Sequence, residues 1–414
     1  MISTFKEILA KKNIKYDNPV IVILLGYLAI FVLAIPYYYK FNLFSLLNIF
    51  LVIFLLILSF ALPFLLNVDI EGNNKISNFY RLYGLLLFII IFYGVFVVMN
   101  SILFAVLCSL FVIGISNLYV KYKLYDNGQD IKNKQHEKYC KFKELLFKNM
   151  DNIIFAIGIM SFMALVIIHN AIPLFNYPVR MSLSADPLRL ISTGALVYGG
   201  INNIFYFIIA FILLILLGYK MGVLIVFIAF LVYRYQTKKI KIKYILLSII
   251  GLIGLLALMS KAILYTSNQN WNIGVFGILS YRAYFDIMVL EKIINYPYML
   301  LGAISLNPIG EGLIATTLLG YSNPHNITST MFGPILLDFG LWGGLLFAFL
   351  LGLASKLIYG GDRKLYAIYA SILLSMCEVG INYGFLIIVF VMLYVNSKLS
   401  ILKNKNRNKN KNRT

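Results

Sequence analysis

The stretch NPHNITSTMFGPILLDFGLWGG, residues 323–344, joins a polar, turn-rich segment to an apolar run of membrane-spanning length. His325 and Asn326 lie in the polar part, and Asp338 and Gly340 lie in the first turns of the apolar part. An ionisable group at a membrane edge is costly and is therefore a candidate for function. The stretch predicts polar chemistry at the edge of a membrane, and the rest of the chain is interpreted around it.

The composition predicts a polytopic membrane protein. Apolar residues make up 61% of the 414 residues and charged residues only 13%, whereas soluble domains average roughly 45–50% apolar. The 36 Lys and Arg against 16 Asp and Glu give a net charge of +20, but these basic residues lie between apolar runs and in the tail, where they set topology. This distribution argues against a nucleic-acid partner. The cysteines, Cys108, Cys140 and Cys377, predict neither a disulfide framework nor a metal site.

Length and charge rules predict an all-α protein with about twelve transmembrane segments, some of them short or re-entrant. Lysines ahead of Pro19 place the N-terminus in the cytoplasm. The apolar stretch Leu82–Val120 is 39 residues long, which is too long for one span of roughly 20 residues, so we expect it to divide at Asn100-Ser101. The run Leu365–Val395 is expected to divide at 380–382 for the same reason.

Pro187–Tyr198 is predicted to form an additional short helix. Without it, the basic cluster at 234–243 would lie on the outer face, against the positive-inside rule. Asp186 before Pro187 is typical of a helix start, and Gly199-Gly200 of a helix end. Such a helix is roughly 18 Å long at 1.5 Å per residue. It either re-enters the membrane or is extended by its neighbours.

The predicted organisation is one integral membrane domain over residues 1–414, in a cell membrane, with both termini in the cytoplasm. Within it, 121–150 is expected to be a hydrophilic cytoplasmic loop and 265–330 a long structured outer loop, in which Tyr281–Asn295 has helical periodicity. Residues 398–414 form a basic cytoplasmic tail suited to contact with anionic lipid.

Several ionisable residues share the predicted outer side. They are Arg180, Arg189, Lys220, Arg282, Glu311, His325 and Asp338. Lys220 can bind a phosphate as a point charge or extend to the lipid headgroups. Arg282 precedes Asp286 by four residues, so it either forms a surface ion pair or binds phosphate in a bidentate manner. Arg189 can neutralise the helix cap, and Arg180 has no partner evident in the sequence.

The remaining candidates could take part in proton transfer or support it. Glu311 lies between two glycines, which is more typical of a turn carboxylate than of a base. His325 is either a solvated loop residue or, because histidine titrates near neutrality, a proton acceptor for a sugar hydroxyl. Asp338 is expected to pair with one of the cations or to stay neutral.

The order and spacing of these motifs resemble those of the membrane glycan polymerases and ligases, the O-antigen polymerase and O-antigen ligase superfamily. The matching motifs are Gly218-Tyr219-Lys220, Tyr281-Arg282-Ala283-Tyr284, His325-Asn326, Asp338-Phe339-Gly340, and Ala171-Ile172-Pro173-Leu174 followed by Arg180. The similarity extends over residues 165–395. The family usually has Arg at position 220, so Lys220 keeps the charge but not the bidentate geometry.

The resemblance implies an oligosaccharide repeat-unit polymerase, a glycosyltransferase that joins polyprenyl-pyrophosphate-linked units at the outer membrane face without a metal or other cofactor. The roles it implies are pyrophosphate binding for Lys220, Arg180 and Arg189, catalysis for His325 and Arg282, and support for Asp338 and Glu311. The implied partners are the lipid-linked glycan donor and acceptor, membrane lipid, and a chain-length regulator or a flippase.

Other functions remain open at this point. A ligase that transfers the finished glycan to another acceptor would use the same kinds of site residues in the same roles. A transporter or flippase of lipid-linked oligosaccharides is expected to have related halves and polar groups near the bilayer midplane. No internal repeat is evident in the sequence, and the charges are predicted at the membrane edge. These features favour the polymerase over the transporter and over a purely structural protein.

Overall fold

A computed structural model of the chain describes residues 15–66, 79–126, 147–237, 240, 242–268, 273–323 and 327–411. The described residues form helices and connecting segments without a strand. The α-helices are α1 (Pro19–Ala34), α2 (Leu43–Leu65), α3 (Tyr80–Met99), α4 (Ile102–Asp126), α5 (Met150–His169), α6 (Tyr177–Ser182), α7 (Pro187–Gly200), α8 (Ile204–Leu216), α9 (Lys220–Gln236), α10 (Ile242–Thr266), α11 (Val275–Ile294), α12 (Leu313–Leu319), α13 (Gly333–Tyr359), α14 (Arg363–Val379) and α15 (Tyr383–Lys411).

Eight of the described helical segments are long and apolar enough to cross a membrane. They are Pro19–Lys40, Leu43–Leu65, Tyr80–Met99, Ile102–Tyr125, Met150–His169, Leu247–Thr266, Gly333–Tyr359 and Tyr383–Leu402. The protein is thus an all-helical, multi-pass membrane protein. The total of about twelve segments and the outer position of 265–330 stay predictions.

Local capping residues set several helix boundaries where the sequence predicts them. The Asn18 side chain accepts a hydrogen bond from the Val20 amide at 2.9 Å and caps the helix that begins at Pro19. Asn100 has a φ of 49° and ends α3, so the apolar stretch 82–120 divides at the expected position. Gly380, with a φ of 99°, ends α14 and confirms the second predicted division.

The short helix α7 forms as predicted and packs antiparallel to α5. The Asp186 carboxylate caps it by accepting hydrogen bonds from the amides of Leu188 at 2.7 Å and Arg189 at 3.2 Å. Ser192 donates to the Gly158 carbonyl at 3.1 Å. About two turns further along α7, Gly199 lies against Phe155. The antiparallel contact with a membrane-length helix shields α7 along its length.

Two apolar clusters build the core. One contains residues of α1, α2, α11 and α13–α15, and the other contains residues of α5 and α7–α10. Helix α9 packs along α14, and α10 packs along α11. The boundary between the clusters is therefore formed by these four helices, which carry Lys220, Arg282 and Glu378.

Helix α13 breaks at the glycine of the Asp-Phe-Gly motif. Gly340 has a φ of 64° and a ψ of −170°, a conformation that strongly favours glycine. Beside this break, the carbonyls of Leu337 and Asp338 accept hydrogen bonds from the amides of Leu300 at 3.1 Å and Leu301 at 2.9 Å. The motif thereby holds the segment that follows α11 against α13.

Two helices extend further than the sequence predicts. Helix α4 continues to Asp126, into the expected cytoplasmic loop, and the rest of that loop lies largely outside the described residues. Helix α15 continues to Lys411, through most of the basic tail. Lysine and arginine are good helix formers, so a polar composition alone does not end a helix.

Candidate functional site

Arg180 and Lys220 bind the same face of α10. The Arg180 guanidinium donates to the Thr266 hydroxyl at 3.2 Å and to the Ile263 carbonyl at 3.5 Å, and the Lys220 ammonium donates to the Ser260 hydroxyl at 2.9 Å. These three partners are spaced by three residues and lie within about 9 Å along the helix axis. Two of the predicted phosphate-binding cations are therefore neighbours.

The turn Gly218-Tyr219-Lys220 gathers the cations. Gly218 has a φ of 77°, and a Cβ there would lie 3.0 Å from Cδ of Arg180 and 3.1 Å from Cα of Leu174, so a larger residue would clash. The Tyr219 hydroxyl donates to the Arg180 carbonyl. The Arg189 guanidinium stacks over the Tyr219 ring at 4.3 Å and donates to the Ser184 carbonyl at 2.6 Å. Its direct hydrogen bond is thus to the backbone and not to the Asp186 cap.

Arg282 forms an ion pair that the sequence analysis missed. Its Nε donates to Oε1 of Glu378 at 2.5 Å, which links α11 to the last turn of α14. The alternative of a surface pair with Asp286 is wrong, because Asp286 is buried and accepts a hydrogen bond from the Thr328 hydroxyl. The Arg282 side chain remains 42% exposed and that of Glu378 34%. Both charged groups therefore stay accessible to a ligand.

A cavity of about 220 Å³ lies beside this ion pair. It is lined by Arg282, Ile304, Ile314, Ile327, Thr328, Pro334, Val379, Gly380, Ile381 and Asn382. Most of this lining is apolar, and Arg282 is its charged member. The cavity is bounded by α11, α12, the start of α13 and the end of α14. Ile327 and Thr328, which directly follow the His325-Asn326 motif in the sequence, are among the residues that line it.

Near Arg282, the charged forms of the described cations outnumber those of the described acidic residues. Burial, and then repulsion by Arg282, lowers the pKa of Lys220 to about 8. Burial also lowers the pKa of Arg180. The pKa of Asp286 is raised, first by burial and then by Glu378, which favours its neutral form. Among the described residues, the cations Arg180, Lys220 and Arg282 are thus opposed mainly by Glu378.

The predicted role of Asp338 as a partner of a cation is wrong. The carboxylate is fully buried and accepts hydrogen bonds from the amides of Ile304 at 3.0 Å and Ser305 at 2.7 Å, and from the Ser305 hydroxyl at 2.5 Å. Among the described residues, its hydrogen-bond partners are these three donors, and none of them is a cation. Asp338 therefore fixes the loop that lines the cavity.

Two predicted site residues fall outside what the structure describes. His325 lies in the interval 324–326, which is not described. Glu311 lies in the short turn Gly310–Gly312, as expected, but its side chain is not described. The roles proposed for both residues rest on the sequence.

A second polar cluster lies at the other end of the same helices. Lys364, at the start of α14, donates to Asp151 at 3.1 Å and to Asn202 at 2.6 Å, and its ammonium lies 3.5 Å from the centre of the Tyr198 ring. Lys123 pairs with Asp362 at 3.6 Å. We call this region the Lys364 end, and the region of Arg180, Lys220, Arg282 and Glu378 the Arg282 end. Lys364 and Glu378 are separated by about 21 Å of helix.

Glu378 had a recognisable signal in the sequence. It is an acidic residue inside a long apolar run, immediately before the division expected at 380–382. A carboxylate in such a position is costly and is a candidate for function. Ser260 had no such signal, because a single hydroxyl in an apolar helix commonly bonds to its own backbone.

A family model described as "Putative O-antigen polymerase" matches residues 15–394. An uncharacterized protein of Methanocaldococcus jannaschii is 47% identical over 388 residues, which cover 94% of this chain and 94% of the relative. No solved structure matches the chain. The family match extends over nearly the whole length, including both ends of the helix bundle, and the chain belongs to the O-antigen polymerase family.

Proposed function

We propose that the protein is a glycosyltransferase that polymerises oligosaccharide repeat units carried on a polyprenyl pyrophosphate. The donor glycan leaves its pyrophosphate carrier and is joined to a hydroxyl of the acceptor glycan. The observation that carries this proposal is the excess of positive charge at the Arg282 end, directly beside a cavity. Family membership supports the same reaction class.

The charge of the donor suits this site. A pyrophosphate that links a lipid to a sugar carries about two negative charges at neutral pH, and the product pyrophosphate carries about one more, because its terminal phosphate loses the sugar ester and gains an ionisable oxygen. Fixed cations in a site of low dielectric stabilise charge that develops in the transition state. Lys220, Arg282 and Arg180 are the proposed sources of this stabilisation, with Arg189 held nearby on Tyr219.

The proposed reaction is a single displacement at the anomeric carbon of the donor. The acceptor oxygen forms a bond to this carbon, and the bond from the carbon to the phosphate oxygen breaks with its electron pair remaining on the phosphate. The hydroxyl proton passes to a base. His325 is proposed as that base on the sequence resemblance, since it precedes the cavity-lining Thr328 by three residues. The cations, rather than a bound metal, are proposed to stabilise the leaving group.

The Arg282 end is proposed to face the outside of the cell. Asp17 lies near the start of the chain and is bound by Gln236 at 2.7 Å and by Tyr366, at the ends of α9 and α14 remote from Lys220 and Glu378. Lysines ahead of this point favour a cytoplasmic N-terminus. Because α9 and α14 each run between the two ends, the Arg282 end is then outside.

The test is reconstitution of the purified protein in vesicles with a polyprenyl-pyrophosphate-linked repeat unit. Polymerase activity predicts a ladder of products that differ by one repeat unit, together with release of polyprenyl pyrophosphate. Transfer of a glycan only to an unrelated acceptor would identify a ligase instead. Movement of the lipid-linked unit across the bilayer without any covalent change would identify a flippase and would overturn the proposal.

A further inference from the structure

Glu378 lies at the point where a phosphate ligand of Arg282 would bind. Its Oε1 accepts the hydrogen bond from Nε of Arg282 at 2.5 Å. Carboxylate and phosphate oxygens compete for the same guanidinium donors, because both are anionic acceptors of similar geometry. A pyrophosphate bound to this part of Arg282 must therefore take the place of Glu378 or lie against it with like charge.

Glu378 is the carboxylate that can make this exchange. Its side chain is 34% exposed, and the residues that follow it, Val379 and Gly380, line the cavity. Asp286, the other described carboxylate near Arg282, is only 1% exposed and is held by Thr328. Part of the ion pair is thus open to a ligand. Glu378 is therefore placed to exchange with an anion that reaches Arg282 from the cavity.

The position of Glu378 is not explained by helix stability. It lies in the last turn of α14, which ends at Val379. The C-terminal end of a helix carries a partial negative charge, so a carboxylate there is unfavourable. The pairing with Arg282 is the contact of Glu378 that compensates this cost.

We propose that Glu378 is an internal competitor for the donor pyrophosphate at Arg282, so that donor binding exchanges one anion for another. The proposal rests on the proposed function and assigns Glu378 a positioning role within that site. A ligand with about two negative charges gains more from the cluster than the single carboxylate that it displaces.

The exchange also bears on product release. The product pyrophosphate carries more negative charge than the donor and would otherwise bind the cations more tightly. Return of Glu378 to Arg282 offsets part of this gain. Loss of the Glu378 charge should therefore strengthen binding of a polyprenyl pyrophosphate and slow its release, lowering both KM for the donor and kcat.

The test measures binding of geranylgeranyl pyrophosphate and geranylgeranyl monophosphate to the full-length protein in lipid nanodiscs. We expect Glu378→Gln to bind the pyrophosphate about fivefold more tightly than wild type, as the loss of one weak competing ion pair predicts. Binding of the monophosphate at Arg282 should tighten by a similar factor, because the same carboxylate contact is removed. The matched control is Glu291→Gln, which removes the same charge about 13 Å further along α11 and should leave both affinities unchanged.

The outcomes separate the two proposals. No binding of geranylgeranyl pyrophosphate to wild type would overturn the proposed function itself. Weaker or unchanged binding by Glu378→Gln, with normal binding by wild type, would overturn the role of Glu378 alone, and so would equal tightening by Glu291→Gln. If Glu378→Gln does not fold, Glu378→Asp is measured instead. Its shorter side chain reaches Arg282 less well, so this variant should bind the probe more tightly than wild type. Equal or weaker binding counts against the proposal.

Discussion

The two ends of the helix bundle differ in how many of their cations have carboxylate partners among the described residues. At the Lys364 end, Lys364 has Asp151 and Asn202 as partners, and Lys123 has Asp362. At the Arg282 end, the hydrogen-bond partner of Lys220 among the described residues is the neutral Ser260, and Arg180 donates to carbonyls and a hydroxyl. Paired charge holds helices together, whereas unbalanced charge is suited to an anionic ligand.

The difference separates structural cations from candidate ligand-binding cations by their partners rather than by their burial. Lys364 is buried and Lys220 is partly buried, so accessibility alone would not distinguish them clearly. Burial removes water from both ammonium groups. Of the two, Lys364 is the one that forms a short contact with a described carboxylate. The following predictions test whether this contrast corresponds to a difference in function.

The largest expected effect is on catalysis at the Arg282 end. Arg282→Ala removes a cation from the leaving group and should lower the rate of polymer formation by about 100- to 1000-fold, the range seen when one preorganised donor is lost. The matched control is Arg363→Ala at the exposed start of α14, at the Lys364 end, which should polymerise normally. The measurement is the product ladder formed by reconstituted protein; equal loss in both variants would contradict the contrast.

The next effect is on stability at the Lys364 end. Lys364→Met leaves Asp151 without its cation and should lower the free energy of unfolding by about 2 kcal/mol, below the range for fully buried pairs because Asp151 is partly exposed. Lys220→Met breaks no ion pair with a described residue and should change stability little. Thermal unfolding of both variants in the same detergent makes the comparison. A larger loss in Lys220→Met would show that its ammonium is structural.

The smallest expected effect is on pH dependence. The pKa of Lys220 is lowered to about 8, so its positive charge is present below this pH and is lost as the pH rises through it. Affinity for geranylgeranyl pyrophosphate should fall by up to about tenfold between pH 7 and pH 9.5, equivalent to about one charged contact. Lys220→Arg should bind with a flat profile, because arginine stays charged throughout this range. An unchanged slope in this variant would exclude Lys220 as the titrating group.

Local sequence signals predicted much of the fold. Caps and breaks at Asn100, Asp186 and Gly380 correctly placed helix boundaries, because each acts on its own backbone. The family resemblance is confirmed by a match over nearly the whole chain. The extension of α15 to Lys411 was missed, since a polar segment can remain helical.

Partners distant in sequence were much harder to predict. Arg282 and Glu378 are 96 residues apart, and Lys364 and Asp151 are 213 residues apart. Hydropathy and spacing identify which charges are costly, but not which ones meet after packing. Asp338 illustrates the same limit. The sequence shows that a carboxylate in this apolar helix is costly to bury, but not that its partners are backbone amides of a loop held beside the break at Gly340. The family resemblance, by contrast, predicted from the order of its motifs that Lys220 and Arg282 belong to one site.

The central claim is that the Arg282 end binds the pyrophosphate of the donor. A cryo-electron microscopy structure with a bound polyprenyl pyrophosphate tests it most directly. The account predicts phosphate oxygens about 3 Å from both the Lys220 ammonium and the Arg282 guanidinium. A pyrophosphate bound away from both residues, at the Lys364 end or elsewhere, would contradict it.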